Sequence, residues 1–287
     1  MNPRVVLVIA GLTIREITRR RIIWVLAGLS VVSVALVGWG VHQLVSMSSG
    51  NGITDAELQL GVSQVLILIA FMFSFVLAMS AAFLAAPAIA SDVETGTVLA
   101  MLARPMHRAD LIVGRWLGLG LIVAVYAAGS GLLAIGVVGL VTGYSPPSMQ
   151  LALAYLAFQA VAVMTAALAL GSRLPGIAAG AITVVLFGLG WFTGVLGAVA
   201  TAFGTDQLSG VGSVYRLLFP TDGLWRGVIY GLEPAAAVLA TRIAGRVAEA
   251  NPFYADAPPS SAFIVWCVVW VLGVLALGSW LFRRREL

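Results

Sequence analysis

Asp92 and Glu94, then Gly96-Thr97, then a short apolar run closed by Arg104-Pro105, are the residues of this chain whose types and spacing suit a task. Carboxylates ahead of a short helix and a cation behind it make a polar-ended apolar surface. Such a surface grips a protein partner; it does not by itself make or break a bond. Groups that would do covalent chemistry are scarce elsewhere. All sixteen basic residues are arginine, so there is no lysine to reach a nucleotide phosphate in a Walker A loop or to form a Schiff base. The only histidines are His42 and His107. Gly129-Ser130-Gly131 therefore has no histidine after it to act as a base, and no HExxH pair exists. Leu208-Ser209-Gly210 matches three letters of an ATPase signature, but stands alone. Cys267 is the single cysteine, which excludes a disulfide within the chain and a multi-cysteine metal site, and reads as a small buried apolar residue. The chain is expected to be no enzyme, and to bind no cofactor or metal of its own.

The elements that must position these residues belong to a membrane. Of 287 residues 61% are apolar and 10% charged, with mean hydropathy +1.04, where soluble domains carry about 25% charge. Six apolar runs, roughly 22–45, 63–90, 112–142, 149–171, 176–203 and 261–282, can each cross a hydrocarbon core, which takes about 20 helical residues. Runs such as VLILIAFMFSFVLAM do not alternate as a transmembrane β-barrel requires, and backbone groups in lipid must pair within the segment, so the runs are helices. The predicted fold is all-α, one transmembrane domain over residues 1–287. The first run is too long for a signal-peptide core and lacks a small-residue cleavage site, so it is expected to stay in the mature protein.

Arginine placement orients the spans. Arg4, Arg15 and Arg19 to Arg21 precede the first; Arg104, Arg108 and Arg115 separate the second and third; Arg173 separates the fourth and fifth; Arg283 to Arg285 follow the sixth. All fall on one side, and the short loops opposite, 46–62 and 143–148, have no basic residue. The positive-inside rule then gives six spans with both termini cytoplasmic. Topology accounts for the basic balance, so nucleic acid is not an expected partner. The spans carry almost no titratable group at their centres, which argues against a self-powered, ion-coupled carrier and for energy supplied by a partner.

Three segments stand outside the spans. Residues 1–21 place Val5, Val6, Ile9, Leu12 and Ile17 at helical spacing with Arg15, Glu16, Arg19 and Arg20 toward the end, which suits an interfacial amphipathic helix or an extension of the first span. Residues 204–260 hold two predicted outer helices, lying on the outer face or dipping back into the membrane, one with Leu224, Trp225, Val228, Ile229 and Leu232 on a face, the other with Val238, Leu239, Ile243 and Val247. Trp225, Tyr230, Phe253 and Tyr254 suit the headgroup level. Residues 91–110 form the third segment. There Ser91-Asp-Val-Glu94 fits an S-x-x-E capping box that would start a helix, Val98, Leu99, Met101 and Leu102 make its stripe, and Arg104-Pro105 stops it. Spacing alone leaves two readings, a capped turn or a docking helix. Gly114 with Gly118, Gly176 with Gly180, Gly190 with Gly194 and Gly227 with Gly231 are small-xxx-small pairs expected to pack helices within the protomer.

The run from Asp92 to Arg115 resembles the cytoplasmic loop of the type-2 class of ABC transporter permeases. The resemblance lies in the order of an acidic residue, a Gly-Thr pair, a short apolar helix, a basic-Pro step and a Gly-basic opening of the third span. Arg115 stands where lysine is usual, which keeps the charge. Arg15-Glu16-Ile17, with Arg19 to Arg21 and Trp24 after it, is similar to the family's amino-terminal elbow. The resemblance implies a coupling helix that seats on a separate cytoplasmic ATPase, with Asp92, Glu94, Gly96, Thr97, Leu99, Leu102 and Arg104 in the contact, and Arg15, Glu16, Arg19 and Arg20 in the elbow. It further implies ATP and Mg on two copies of that ATPase, a second permease as a homodimer partner, surrounding lipid, a prokaryotic inner-membrane location, and export of a cargo. The charge-poor spans suit an amphipathic, lipid-like or drug-like cargo; a role in metalloenzyme maturation, or a non-transporting anchor or sensor, are the alternatives.

Overall fold

A computed structural model describes residues 2–19, 21–48, 55–96, 107–204, 206–235, 237–239, 251–255 and 257–285. Among these residues there is no strand, and the bounded helices are α1 (Pro3–Thr18), α2 (Arg21–Ser48), α3 (Asp55–Ala85), α4 (Pro87–Glu94), α5 (Arg108–Thr142), α6 (Met149–Gly171), α7 (Gly176–Phe203), α8 (Asp206–Leu218), α9 (Thr221–Leu232) and α10 (Ser261–Arg283), with further helical residues at 235 and 237–239. Five stretches are long and apolar enough to cross a membrane: Gln59–Glu94, Arg108–Thr142, Met149–Gly171, Gly176–Ala200 and Ser261–Arg283. They coincide with five of the six predicted runs, and α2 occupies the remaining one. The protein is a polytopic, all-helical membrane protein.

At the centre lies α6, against which α3, α5, α7, α9 and α10 all pack. Its residues 162–167, Ala-Val-Met-Thr-Ala-Ala, are buried around the whole helix, because small side chains let neighbours approach from every direction. Thr165 is accommodated because its hydroxyl donates to the Val161 carbonyl (2.7 Å) and accepts from the Trp116 indole of α5 (2.8 Å). On α10, a Cβ at Gly278 would lie 2.9 Å from the Ala169 Cα.

The segment between the fifth and sixth predicted runs folds differently from expectation. Of the helices described there, α8 falls where no outer helix was predicted, and α9 is buried on nearly every side rather than laid on a surface. At Gly204 the backbone takes φ +73°, which a Cβ disfavours, and the chain folds back as α8 along α7. From Phe219-Pro220 α9 then returns along the first half of α6: Gly227 meets the Tyr155 ring (2.6 Å from a Cβ there) and Gly231 meets Ala152 (2.9 Å). Trp225 is consequently in the core, 3% exposed, against Phe71, whose ring Phe253 also contacts; Tyr254 is buried too. Trp225 and Tyr254 are thus packed inside the protein, with Phe253 partly so. Of the second predicted outer helix, Val238 and Leu239 are helical, while Ile243 and Val247 lie outside the described residues.

The turn between α8 and α9 exposes backbone carbonyls that need donors. Trp266 and Trp270 of α10 supply them, their indole N–H groups donating to the Leu217 and Leu218 carbonyls at 3.0 and 2.8 Å. At the other end, the Tyr144 hydroxyl donates to the Leu232 carbonyl (2.7 Å), closing α9 onto the loop after α5. Burial, with the Glu233 carboxylate nearby, pushes the Tyr144 phenol up to about 12.

Candidate coupling surface

Proline at the first turn starts α4, because its fixed φ suits a helix and its missing N–H is one the first turn leaves unpaired. Ser91 is thus already inside the helix, its hydroxyl donating back to the Pro87 carbonyl (2.6 Å). The S-x-x-E pattern forms no capping box: Ser91 to Glu94 end a helix instead of starting one. The Thr95 N–H and hydroxyl both donate to the Ser91 carbonyl (2.9 and 2.8 Å), the Gly96 N–H donates to Val93 (3.1 Å), and Gly96 takes φ +71°. Glu94 is exposed at the last residue of α4. Thr97, Leu99, Leu102 and Arg104, on which the predicted coupling helix rests, lie outside the described residues, as does Arg20.

Beside this exit α1, the predicted elbow, is laid on the opening of α5. Asn2 caps α1 by accepting from the Arg4 N–H (3.1 Å), and Pro3 occupies the first turn. Val6, Ile9, Ala10, Thr13 and Ile17 are buried, while Leu7, Val8 and Leu12 face outward, so the apolar surface of α1 divides between the protein and its surroundings. Gly114 and Gly118 make the seat. A Cβ at Gly114 would lie 2.6 Å from the Ile9 Cβ, and one at Gly118 would lie 2.7 Å from the Ala10 carbonyl oxygen. Asp110, buried at the α5 start, accepts from the N–H groups of His107 (3.4 Å) and Asn2 (3.5 Å) and fixes the beginning of α1.

The charged residues of three elements then converge. The Arg115 guanidinium, 7% exposed, donates from one nitrogen to Glu16 of α1 (2.9 Å) and from the other to Asp92 of α4. A planar fork with donors on both sides is suited to hold two carboxylates at once. Asp92 is therefore engaged inside the chain, and Glu16 joins it; Glu94 is the exposed carboxylate of the pair predicted for a partner. Arg15 and Arg19 are exposed on α1.

Arginine also ties the same end of the bundle together. Arg108 donates to the carbonyls of Phe282, Arg283 and Arg285 (3.5, 3.2 and 2.8 Å), Arg173 to that of Leu281 (3.1 Å), and Arg285 to that of Ser172 (2.9 Å). These contacts satisfy carbonyls that the ends of α10 and α6 leave open. Their positions at predicted helix ends were the signal for this role available in the sequence.

A second charged cluster was not foreseen. Asp222, at the start of α9, receives Arg216 of α8 (2.9 Å) and Arg226 of α9 (3.5 Å) and is 7% exposed against Gly194 of α7. A Cβ at Gly194 would overlap its carboxyl group, so the glycine is what lets the charge sit there.

Comparison with known proteins agrees with this architecture. No curated protein matches the chain. The family described as ABC-2 family transporter protein matches residues 7–287, from within α1 to the end of the chain. Membrane permeases of that family are generally non-catalytic and typically work with a cytoplasmic ATPase. The chain belongs to the ABC-2 transporter family, as a permease of the ABC transporter type.

Proposed function

We propose that this chain is the membrane-spanning subunit of an exporter driven by a separate cytoplasmic ATPase, and that residues 91–110 are the coupling surface. The observation that carries the reading is the clamp at Arg115: it joins α4, from which the loop leaves, to the elbow α1 and to α5, into which the loop returns. Force applied to the loop would reach three helices through one side chain. Glu94 supports the reading, since an exposed carboxylate at a helix C-terminus opposes the helix dipole and gains from a cationic partner. Glu94, Gly96, Thr97, Leu99, Leu102 and Arg104 form the contact, with Asp92 acting from behind through Arg115.

In this reading α2 is the first of six spans, both termini are cytoplasmic, and the α8–α9 hairpin re-enters from the outer side of a prokaryotic inner membrane. Its turn is tolerated at depth because α10 satisfies its carbonyls. Two permeases pair as a homodimer with two ATPase subunits that hold ATP and Mg. The cargo is amphipathic, lipid-like or drug-like, matching the apolar faces of the spans.

The test is to extract the tagged chain gently from its native membrane and identify what co-purifies, comparing wild type with Glu94→Arg. Recovery of a soluble ATPase by the wild type, reduced at least tenfold in the variant, is the expected result. If the wild type recovers no ATPase under several mild conditions, an anchor or sensor function replaces transport.

A further inference from the structure

Between α3, α6, α7 and α9 lies a small cavity lined by Phe71, Ser74, Gln159, Trp191, Thr221 and Trp225, with Asp222 at its side. It is independent of the coupling surface. Three of its polar atoms have no acceptor among the described residues: Trp191 Nε1, Trp225 Nε1 and Thr221 Oγ1, each fully buried. The contrast with the rest of the chain is specific. The indoles of Trp116, Trp266 and Trp270 all have acceptors at 2.8–3.0 Å. Helical threonines such as Thr13, Thr165 and Thr183 donate to the carbonyl four residues back. Thr221 opens α9 and has no preceding turn of its own helix to donate to. Unpaired buried donors are rare and costly, and here three border one space.

We propose that this cavity is a hydration site whose water pins the deep end of α9 to α6 and α7. Its size allows about one water molecule, which needs two to four polar partners. The lining offers donors in Trp191, Trp225 and Thr221, and acceptors in the Asp222 carboxylate and in Gln159 Oε1, which already accepts from Ser74 (3.1 Å). A cation is disfavoured by the three donors. An anion is disfavoured by the carboxylate at the wall. One water can accept from two of these donors and donate to both acceptors, which neither kind of ion can do. The α8–α9 hairpin is thereby seated through an exchangeable molecule at its inner end, and through direct contacts, Gly227 on Tyr155 and Gly231 on Ala152, further along.

Whether the donors are paired decides the sign of an isosteric change. Thr221→Val and Trp225→benzothienylalanine keep shape and remove only the donor. With water present, deleting a donor it accepts from removes a hydrogen bond and leaves the water short of a partner; two of the three donors are so engaged, so in at least one of the two variants the melting temperature of the purified full chain falls, by about 2 °C or more. Thr221→Ser keeps the donor and loses less than Thr221→Val. In a dry cavity the same changes remove a penalty, and melting temperatures equal to or above wild type in both isosteric variants would overturn the proposal. Exchanging chloride for gluconate is expected to leave wild-type melting unchanged; a chloride-dependent rise absent in Thr221→Val would identify the guest as an anion and refute the water assignment.

Discussion

Arg115 holds Asp92 and Glu16 at once, and with them α4 and α1, from the second turn of α5. A nearly buried cation is tolerated there because two carboxylates compensate its lost hydration. Removing it would take from both carboxylates the guanidinium that joins them. Arg115→Ala is expected to cost about 3–5 kcal/mol, the range for breaking a buried pair from one side. Arg115→Lys, a point charge without the fork, should fall between. Denaturant unfolding of the purified protein measures both, and an Arg115→Ala loss no larger than that of Glu16→Gln would show that the clamp is not closed.

The seat of the elbow is a steric prediction. Gly118→Leu puts a side chain where the Ala10 carbonyl and Thr13 lie, so α1 must lift while the spans, which do not use that contact, stay packed. Overpacking of this kind costs about 1–3 kcal/mol. Limited proteolysis should then cut within residues 2–19 faster than in wild type with the remaining fragments unchanged. Equal cutting would mean that α1 is held by its ends alone.

Asp222 neutralises two arginines against Gly194. Its replacement by alanine leaves two half-buried cations side by side without the carboxylate, for an expected loss of about 1.5–3 kcal/mol. Arg226→Gln should cost less, because Arg216 still pairs with the carboxylate. Melting of the three proteins orders them; Asp222→Ala at or above Arg226→Gln in stability would contradict the cluster.

Tyr144 gives an alkaline signature. Its phenol is pushed up to about 12 from an ordinary 10, so the folded state favours the neutral form. That contribution is complete below pH 10 and is lost as pH rises through about 12. Tyr144→Phe should lower stability near neutrality, by about 1 kcal/mol for the lost bond to Leu232. It should also flatten the fall in stability between pH 10 and 12 relative to wild type, read by unfolding at each pH. Parallel curves for the two proteins would show that this phenol does not set the slope.

Where the helices lie was legible in the sequence, because a helix in lipid needs only an apolar run of sufficient length and its own backbone hydrogen bonds. The predicted small-xxx-small pairs are equally local, and Gly114 with Gly118, Gly176 with Gly180, Gly190 with Gly194 and Gly227 with Gly231 all meet neighbours within this chain. The error at Ser91 was also local: Pro87 starts α4 a turn earlier, and a capping pattern inside a helix has no free N–H to cap. What tertiary structure alone decided was pairing across distance. Arg115 stands 99 residues from Glu16 and 23 from Asp92, and no local spacing brings them together. Arg216 and Arg226 read as loop charges until α8 and α9 fold back along α7 and α6. There the missing side chain of Gly194 leaves room for the carboxylate that both arginines require, and that room exists only once the helices have packed.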